Sequence, residues 1–205
     1  MDTFSRRVVV LRAGGYSAET KVFPPPIATL LSAGVAAPEV VTAKFEVTYN
    51  GFSPEAKSAF QAAVNVWAVS LTSSVPIKVS ANWTPLGAGI LGQAGPETFL
   101  RDFGGAPRPS TWYPIALANK LAGSDLRPGQ PDITAEFNST FGNWYYGTDA
   151  DTPADQYDLM SVVLHEIGHG LGFVGSMEVG CLGATEHKTG LSPAPNPKVP
   201  NHIPF

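Results

Sequence analysis

The chain has 205 residues, 43% of them apolar, which is enough for one domain with a sizeable core. Only 15% of the residues are charged, and 21 glycines with 19 prolines favour a loop-rich protein over a helical bundle. A net charge of −4 argues against a nucleic-acid partner, no apolar run approaches the ~18 residues that span a bilayer, and the single cysteine, Cys181, excludes an intramolecular disulfide.

The first 43 residues show no regular period. The run "FPPP" favours extended polyproline geometry, and Arg12 ends the apolar run "VVVL" too early for a secretory signal peptide. We therefore expect residues 1–43 to form a leader or propeptide-like extension. A loosely packed extension without a role is the alternative.

From Lys44 onward the pattern sharpens into a strand, a helix and a second strand. Alternation in "KFEVTYNGF" predicts a strand that ends at the turn pair Asn50-Gly51. Ser53 as N-cap and Pro54 at the first position predict a helix over 53–71. This helix carries one apolar stripe, formed by Phe60, Val64, Trp67 and Leu71. The segment "VPIKVSANW" predicts the second strand.

The second half of the chain is less regular before its last helix. We expect residues 85–131 to be irregular, with a short helix near 115–122, and "PDITAEFN" at 131–138 to form a third strand. A loop rich in Gly, Asp and aromatic residues follows, and a helix is predicted over 156–171. Residues 179–205 carry five prolines and no periodicity, which predicts an irregular tail.

The last predicted helix contains "VVLHEIGHGLGFVGSM", with two histidines four residues apart. On a helix, His165 and His169 lie on one face, so both rings can bind one zinc ion. Glu166 can then take the proton of a zinc-bound water as that water attacks a carbonyl group. His165 and His169 are thus candidate metal ligands, and Glu166 is the candidate general base.

The surroundings of the motif suit a packed helix. Asp155 or Asp158 can cap its start, and Gly172 can end it in the left-handed conformation. Gly168 and Gly170 are unfavourable inside a helix, which indicates that another backbone packs closely there. The buried side is expected to hold Leu159, Val162, Val163 and Ile167.

These residues resemble the zincin metalloproteases. The segment "LHEIGHGLGF" resembles their active-site helix, and "HEIGHGLG" fits the first part of the metzincin signature. With "NVWAVSLTSSVPIKV" and "TWYPIALANKLAG", it is similar to secreted bacterial metalloproteases, some of which carry a protease-associated domain. The resemblance covers about residues 44–178.

The resemblance implies an α+β fold, with a twisted mixed sheet, a backing helix and an active-site helix, and a short or missing C-terminal subdomain. It implies a secreted zinc-dependent endopeptidase that hydrolyses peptide or protein substrates, with His165 and His169 on zinc and Glu166 as base. Strand 131–138 would offer an edge to which an extended peptide adds. The oligomeric state is left open.

A third zinc ligand is not evident. Gly175 stands where a metzincin has its third histidine, and Met177 comes too early for the Met-turn. The open candidates are Glu178, Cys181, Glu186, His187 and His202, of which His187 has the most suitable chemistry. A truncated or inactive zincin-derived module with weak or no metal binding is therefore the alternative function.

A second metal is a weaker hypothesis. "DADTPAD" places Asp149, Asp151 and Asp155 at spacings similar to those of calcium loops, but it lacks the glycine and glutamate of an EF-hand. An irregular Ca²⁺ site stays open beside a solvated acidic loop.

Overall fold

The computed structural model describes residues 42–174, together with the backbone of residues 3–4 and 9–12. Most of the predicted extension 1–43 and all of the predicted tail 179–205 lie outside the described residues. In the part that is described, three helices and a mixed sheet confirm the α+β class.

The elements follow one another in a strand-rich order. The strands are β1 (Thr3–Phe4), β2 (Val9–Arg12), β3 (Phe45–Asn50), β4 (Ile77–Thr84), β5 (Ile90–Pro96), β6 (Phe99–Leu100), β7 (Tyr113–Pro114), β8 (Ile133–Asn138), β9 (Trp144–Tyr145) and β10 (Tyr157–Asp158). The helices are α1 (Pro54–Ser70), α2 (Ile115–Ala122) and α3 (Leu159–Leu171).

The main sheet has five strands in the order β2-β5-β8-β4-β3. Strands β3, β4 and β8 run parallel, with Phe45 opposite Ile77 and Val79 opposite Ile133. Strand β5 runs antiparallel to β8, and β2 runs antiparallel to β5. The long connections through α1 and through α2 are the kind that parallel neighbours require.

Helices α1 and α3 share one apolar core with the sheet. Phe60 and Val64 of α1 and Ile167 of α3 are buried against sheet residues such as Val79 and Phe137. On the strands, every second side chain is polar, as in the hydrogen-bonded pairs Asn50–Asn82 and Gln93–Glu136. The strand period of two thus separates a helix-covered face from a polar face.

Helix α2 belongs to a second, smaller apolar cluster with Leu100, Phe103 and Tyr113. The buried carboxylate of Asp132 ties this helix to the sheet, because it accepts hydrogen bonds from the Lys78 backbone N–H and the Asn119 amide, both at 2.8 Å. A buried carboxylate with two donors avoids the cost of an unpaired one.

The predicted helix 53–71, the helix near 115–122 and the strands at 45–50 and 131–138 are confirmed. The prediction that the rest of 85–131 is irregular is wrong, since it contains β5, β6 and β7. The last helix begins at Leu159, three residues later than predicted. Across the described residues, no helix has both the length and the apolar character needed to cross a membrane.

Candidate metal centre

Helix α3 is closed at both ends by the groups that its sequence supplies. Asp158, rather than Asp155, is the N-cap: its carboxylate accepts hydrogen bonds from the backbone N–H groups of Met160 and Ser161, at 3.2 and 3.0 Å. At the other end, Gly172 has a φ of 112°, and its N–H returns to the His169 carbonyl. The helix that carries the motif is therefore held independently of any metal.

The two motif histidines converge on the outer face of α3. The Nε2 atoms of His165 and His169 lie 2.9 Å apart, and their rings are nearly perpendicular, at 88°. His165 is exposed and His169 is partly exposed. The structure therefore brings the predicted pair together, with both Nε2 atoms directed at the same point.

A backbone carbonyl fixes the second histidine. The Nδ1 atom of His169 lies 2.6 Å from the Phe173 carbonyl oxygen, which can only accept a hydrogen bond. Nδ1 therefore carries a proton, so in the neutral ring the lone pair of His169 is on Nε2. A hydrogen bond of this kind, on the nitrogen that does not bind metal, is common around protein metal sites.

The surroundings of His165 favour its neutral form. Although the residue is exposed overall, partial desolvation of its ring, followed by the nearby His169, lowers its pKa. A neutral imidazole is the form that binds a metal.

Glu166 lies on the inner side of the same helix. Its side chain is fully buried, and neither carboxylate oxygen has a hydrogen-bond partner among the described residues. Burial raises its pKa from 4.5 to about 8, while the nearby Ala94 amide lowers it in part without forming a hydrogen bond of normal geometry. A buried carboxyl without a partner is unusual, because such groups are normally satisfied.

Strand β5 is the sheet strand next to this carboxyl, since Ala94 of β5 approaches Glu166. The prediction that strand 131–138 offers a free edge is wrong. Its residues form β8, which is paired with β4 on one side and β5 on the other. The outer side of β5 pairs with β2, with Val9 opposite Ala94.

The two interior glycines of α3 have different surroundings. A Cβ atom on Gly170 would lie 2.3 Å from Ile133 Cγ2, so a side chain there would force α3 or Ile133 to shift. A Cβ atom on Gly168 would meet Trp67 at 3.4 Å, an ordinary contact. Close packing is present at Gly170, but the neighbour is the Ile133 side chain and not another backbone, as the sequence had indicated.

The described residues contain no group of three or more His, Cys, Asp or Glu that could hold a metal ion. The third-ligand candidates Glu178, Cys181, Glu186, His187 and His202 lie outside the described residues, as does Gly175. In the acidic loop, Asp149 accepts hydrogen bonds from the Tyr145 hydroxyl and the Asp151 backbone N–H. The calcium site stays a prediction.

Three contacts around the centre were not predicted from the sequence. They are Ala94 beside Glu166, the hydrogen bond of His169 to the Phe173 carbonyl, and the packing of Trp67 on α3 at Leu164 and Gly168. The αL signal at Gly172 could have indicated that the chain folds back onto the helix end. Nothing in the sequence indicates the other two, because they are contacts between distant segments.

Comparison with known proteins gives one family. The model of the SPBPB7E8-like family matches residues 91–193, half of the chain, and this range includes the histidine motif. No curated protein and no solved structure matches the chain significantly. The chain belongs to the SPBPB7E8-like family.

Proposed function

We propose that this protein is a zinc-dependent endopeptidase of zincin type. The observation that carries the proposal is that the Nε2 atoms of His165 and His169 converge to 2.9 Å on one helix. Glu166, which follows His165 in the sequence, has a buried carboxyl without a hydrogen-bond partner among the described residues. The order of sheet, backing helix α1 and motif helix α3 is the arrangement that the zincin resemblance implies, and it supports the same conclusion.

The donor set fits zinc in chemistry and nearly in spacing. Two nitrogens about 2.0–2.1 Å from a tetrahedral ion stand about 3.3 Å apart, so the imidazoles need to separate by only a few tenths of an ångström. The exposed position of His165 leaves the pair accessible, and the hydrogen bond from His169 Nδ1 to Phe173 directs the other nitrogen outward. A third ligand would come from Glu178, Cys181, Glu186, His187 or His202.

Each residue then has a separate role. His165 and His169 would hold the ion, which when bound supplies Lewis-acid chemistry that makes water nucleophilic near neutral pH. Glu166 would accept the proton of the attacking water and pass it to the leaving amine. Its buried position excludes bulk water from the carboxyl, and a nearby cation would lower its pKa toward the range that a base requires.

The peptide would lie along β5, because this strand is next to Glu166. Strand addition uses the outward N–H and C=O groups of an edge strand. Residues 9–12 pair with that side of β5, so a peptide must take the place of β2.

An inactive zincin-derived module is the second candidate, and the presence of only two ligands at the centre within residues 42–174 favours it. Two protein ligands bind zinc more weakly than three or four, and a catalytic site normally has three. The two candidates differ in whether tight zinc binding and hydrolysis occur together.

The test is peptide hydrolysis by the full chain with one equivalent of zinc, for the wild type and Glu166→Gln. The amide keeps the shape of the side chain but cannot accept the proton, so we expect hydrolysis to be lost and zinc to be retained. Glu46→Gln, on the exposed face of β3, is the matched control. Equal hydrolysis in Glu166→Gln would refute the assigned base, and zinc binding without hydrolysis in the wild type would favour the inactive module.

A further inference from the structure

We propose that Trp67 is a positioning residue of the metal centre, an inference that rests on the proposed zinc site. Trp67 lies in the last turns of α1, in the apolar stripe of that helix, and is partly buried. It contacts α3 at Leu164 and Gly168, the residues that precede His165 and His169 in the sequence.

The first contact is polar. The Trp67 indole Nε1–H donates a hydrogen bond of 3.0 Å to the carbonyl oxygen of Leu164, the residue before His165. Since the indole has only this one donor, its direction is defined by that carbonyl. The bond fixes the start of the histidine-bearing turn to α1.

The second and third contacts are made by the ring. Its Cζ2 atom lies against Gly168, the residue before His169, where an added Cβ would be 3.4 Å away. Its face lies beside the Phe173 ring, with centroids 5.9 Å apart and planes inclined by 32°. Because residue 168 is a glycine, no side chain stands between α3 and the indole at this point.

These contacts are linked to His169 through Phe173. The Phe173 carbonyl accepts the hydrogen bond from His169 Nδ1, so the position of Phe173 decides which nitrogen of His169 carries the proton. Phe173 also donates its backbone N–H to the Gly168 carbonyl at 3.0 Å. One indole thus contacts the residue before each histidine and the residue that orients the second.

Trp67→Phe removes the indole N–H and shortens the ring, while it keeps an aromatic side chain in the core. Trp83→Phe is the matched control, because Trp83 is also partly buried at the same core but packs on Phe52 and Trp144. Phe173→Ala is a second variant, and since this side chain is 47% exposed it can be removed without opening the core.

Two measurements on the full chains separate positioning from general stability. The first is zinc affinity by competition with a chelating dye, and the second is the tautomer of His169 in zinc-free protein by long-range ¹H–¹⁵N NMR. For Trp67→Phe we expect zinc affinity to fall by about 10- to 100-fold, as is typical when support of a ligand is lost. We also expect His169 to lose its preference for the Nδ1–H form.

Phe173→Ala should change both quantities in the same direction, and Trp83→Phe should change neither. The proposal is overturned if Trp67→Phe and Trp83→Phe show the same zinc affinity and the same His169 tautomer. If the wild type binds no zinc, the proposed function fails, and the tautomer in zinc-free protein alone decides whether Trp67 positions His169.

Discussion

Replacing Glu166 by glutamine should stabilise the zinc-free protein, and the gain should grow with pH. The carboxyl is fully buried without a hydrogen-bond partner among the described residues, and burial raises its pKa from 4.5 to about 8. Near neutral pH the folded chain must therefore hold a proton that the unfolded chain releases. Glutamine has nearly the same shape and never carries this charge.

The magnitude follows from the shift in pKa. Because the folded pKa is raised, stability is fully present below pH 4.5 and is lost as pH rises toward 8. Between these limits each pH unit costs about 1.4 kcal/mol, so the loss is about 1 kcal/mol at pH 5 and about 4 kcal/mol at pH 7.5. The glutamine variant avoids this loss, and its advantage should increase by about 3 kcal/mol between the two values.

The assay is urea unfolding in the presence of a chelator at pH 5 and pH 7.5, for the wild type and Glu166→Gln. Glu46→Gln is the control, because the hydrogen bond from Lys44 lowers the pKa of Glu46, so this exchange should bring no gain that grows with pH. If the wild type and Glu166→Gln lose stability in parallel as pH rises, the burial argument for Glu166 is wrong.

Two further predictions concern helix α3. Gly170→Ala should lower the free energy of unfolding by about 1–3 kcal/mol through overpacking against Ile133, whereas Gly168→Ala should leave it unchanged or raise it by up to about 1 kcal/mol through helix propensity. Thermal unfolding checks both, and an equal loss in the two variants would contradict the packing. Asp158→Ala should lower the free energy of unfolding by about 1 kcal/mol, because it removes the N-cap, whereas Asp155→Ala should leave it almost unchanged. Urea unfolding of both variants measures this difference, and a larger loss in Asp155→Ala would show that Asp155 is the cap.

The periodic elements could be predicted from the sequence, because their burial follows a single period. The alternation at 45–50 and the capped stripe that begins at Ser53 lead directly to β3 and α1. Strand β5 was missed because its segment "ILGQAGP" looks like a turn. Its Gly92 serves packing instead: an added Cβ would come within 3.0 Å of the Phe137 ring on the neighbouring strand.

The centre was predictable only as far as it is local. The spacing of His165 and His169 fixes their common face on a helix, and it requires no knowledge of the rest of the chain. The burial of Glu166, the Phe173 carbonyl and the Trp67 indole depend on how β5, the reversal at Gly172 and α1 pack against that helix. The contacts of β5 and α1 join segments that are distant in sequence, so no local pattern encodes them. The Phe173 carbonyl lies only four residues from His169, and the glycine at 172 could have indicated the reversal that places it there.

The most direct test of the zinc site is a competition titration of zinc against a chelating dye, for the wild type, His165→Gln and His169→Gln. We predict one tightly bound zinc per wild-type chain and loss of tight binding in each variant, since each removes one of the two converging nitrogens. A wild-type chain that binds no zinc, or variants that bind it as tightly as the wild type, would contradict the assignment of this centre.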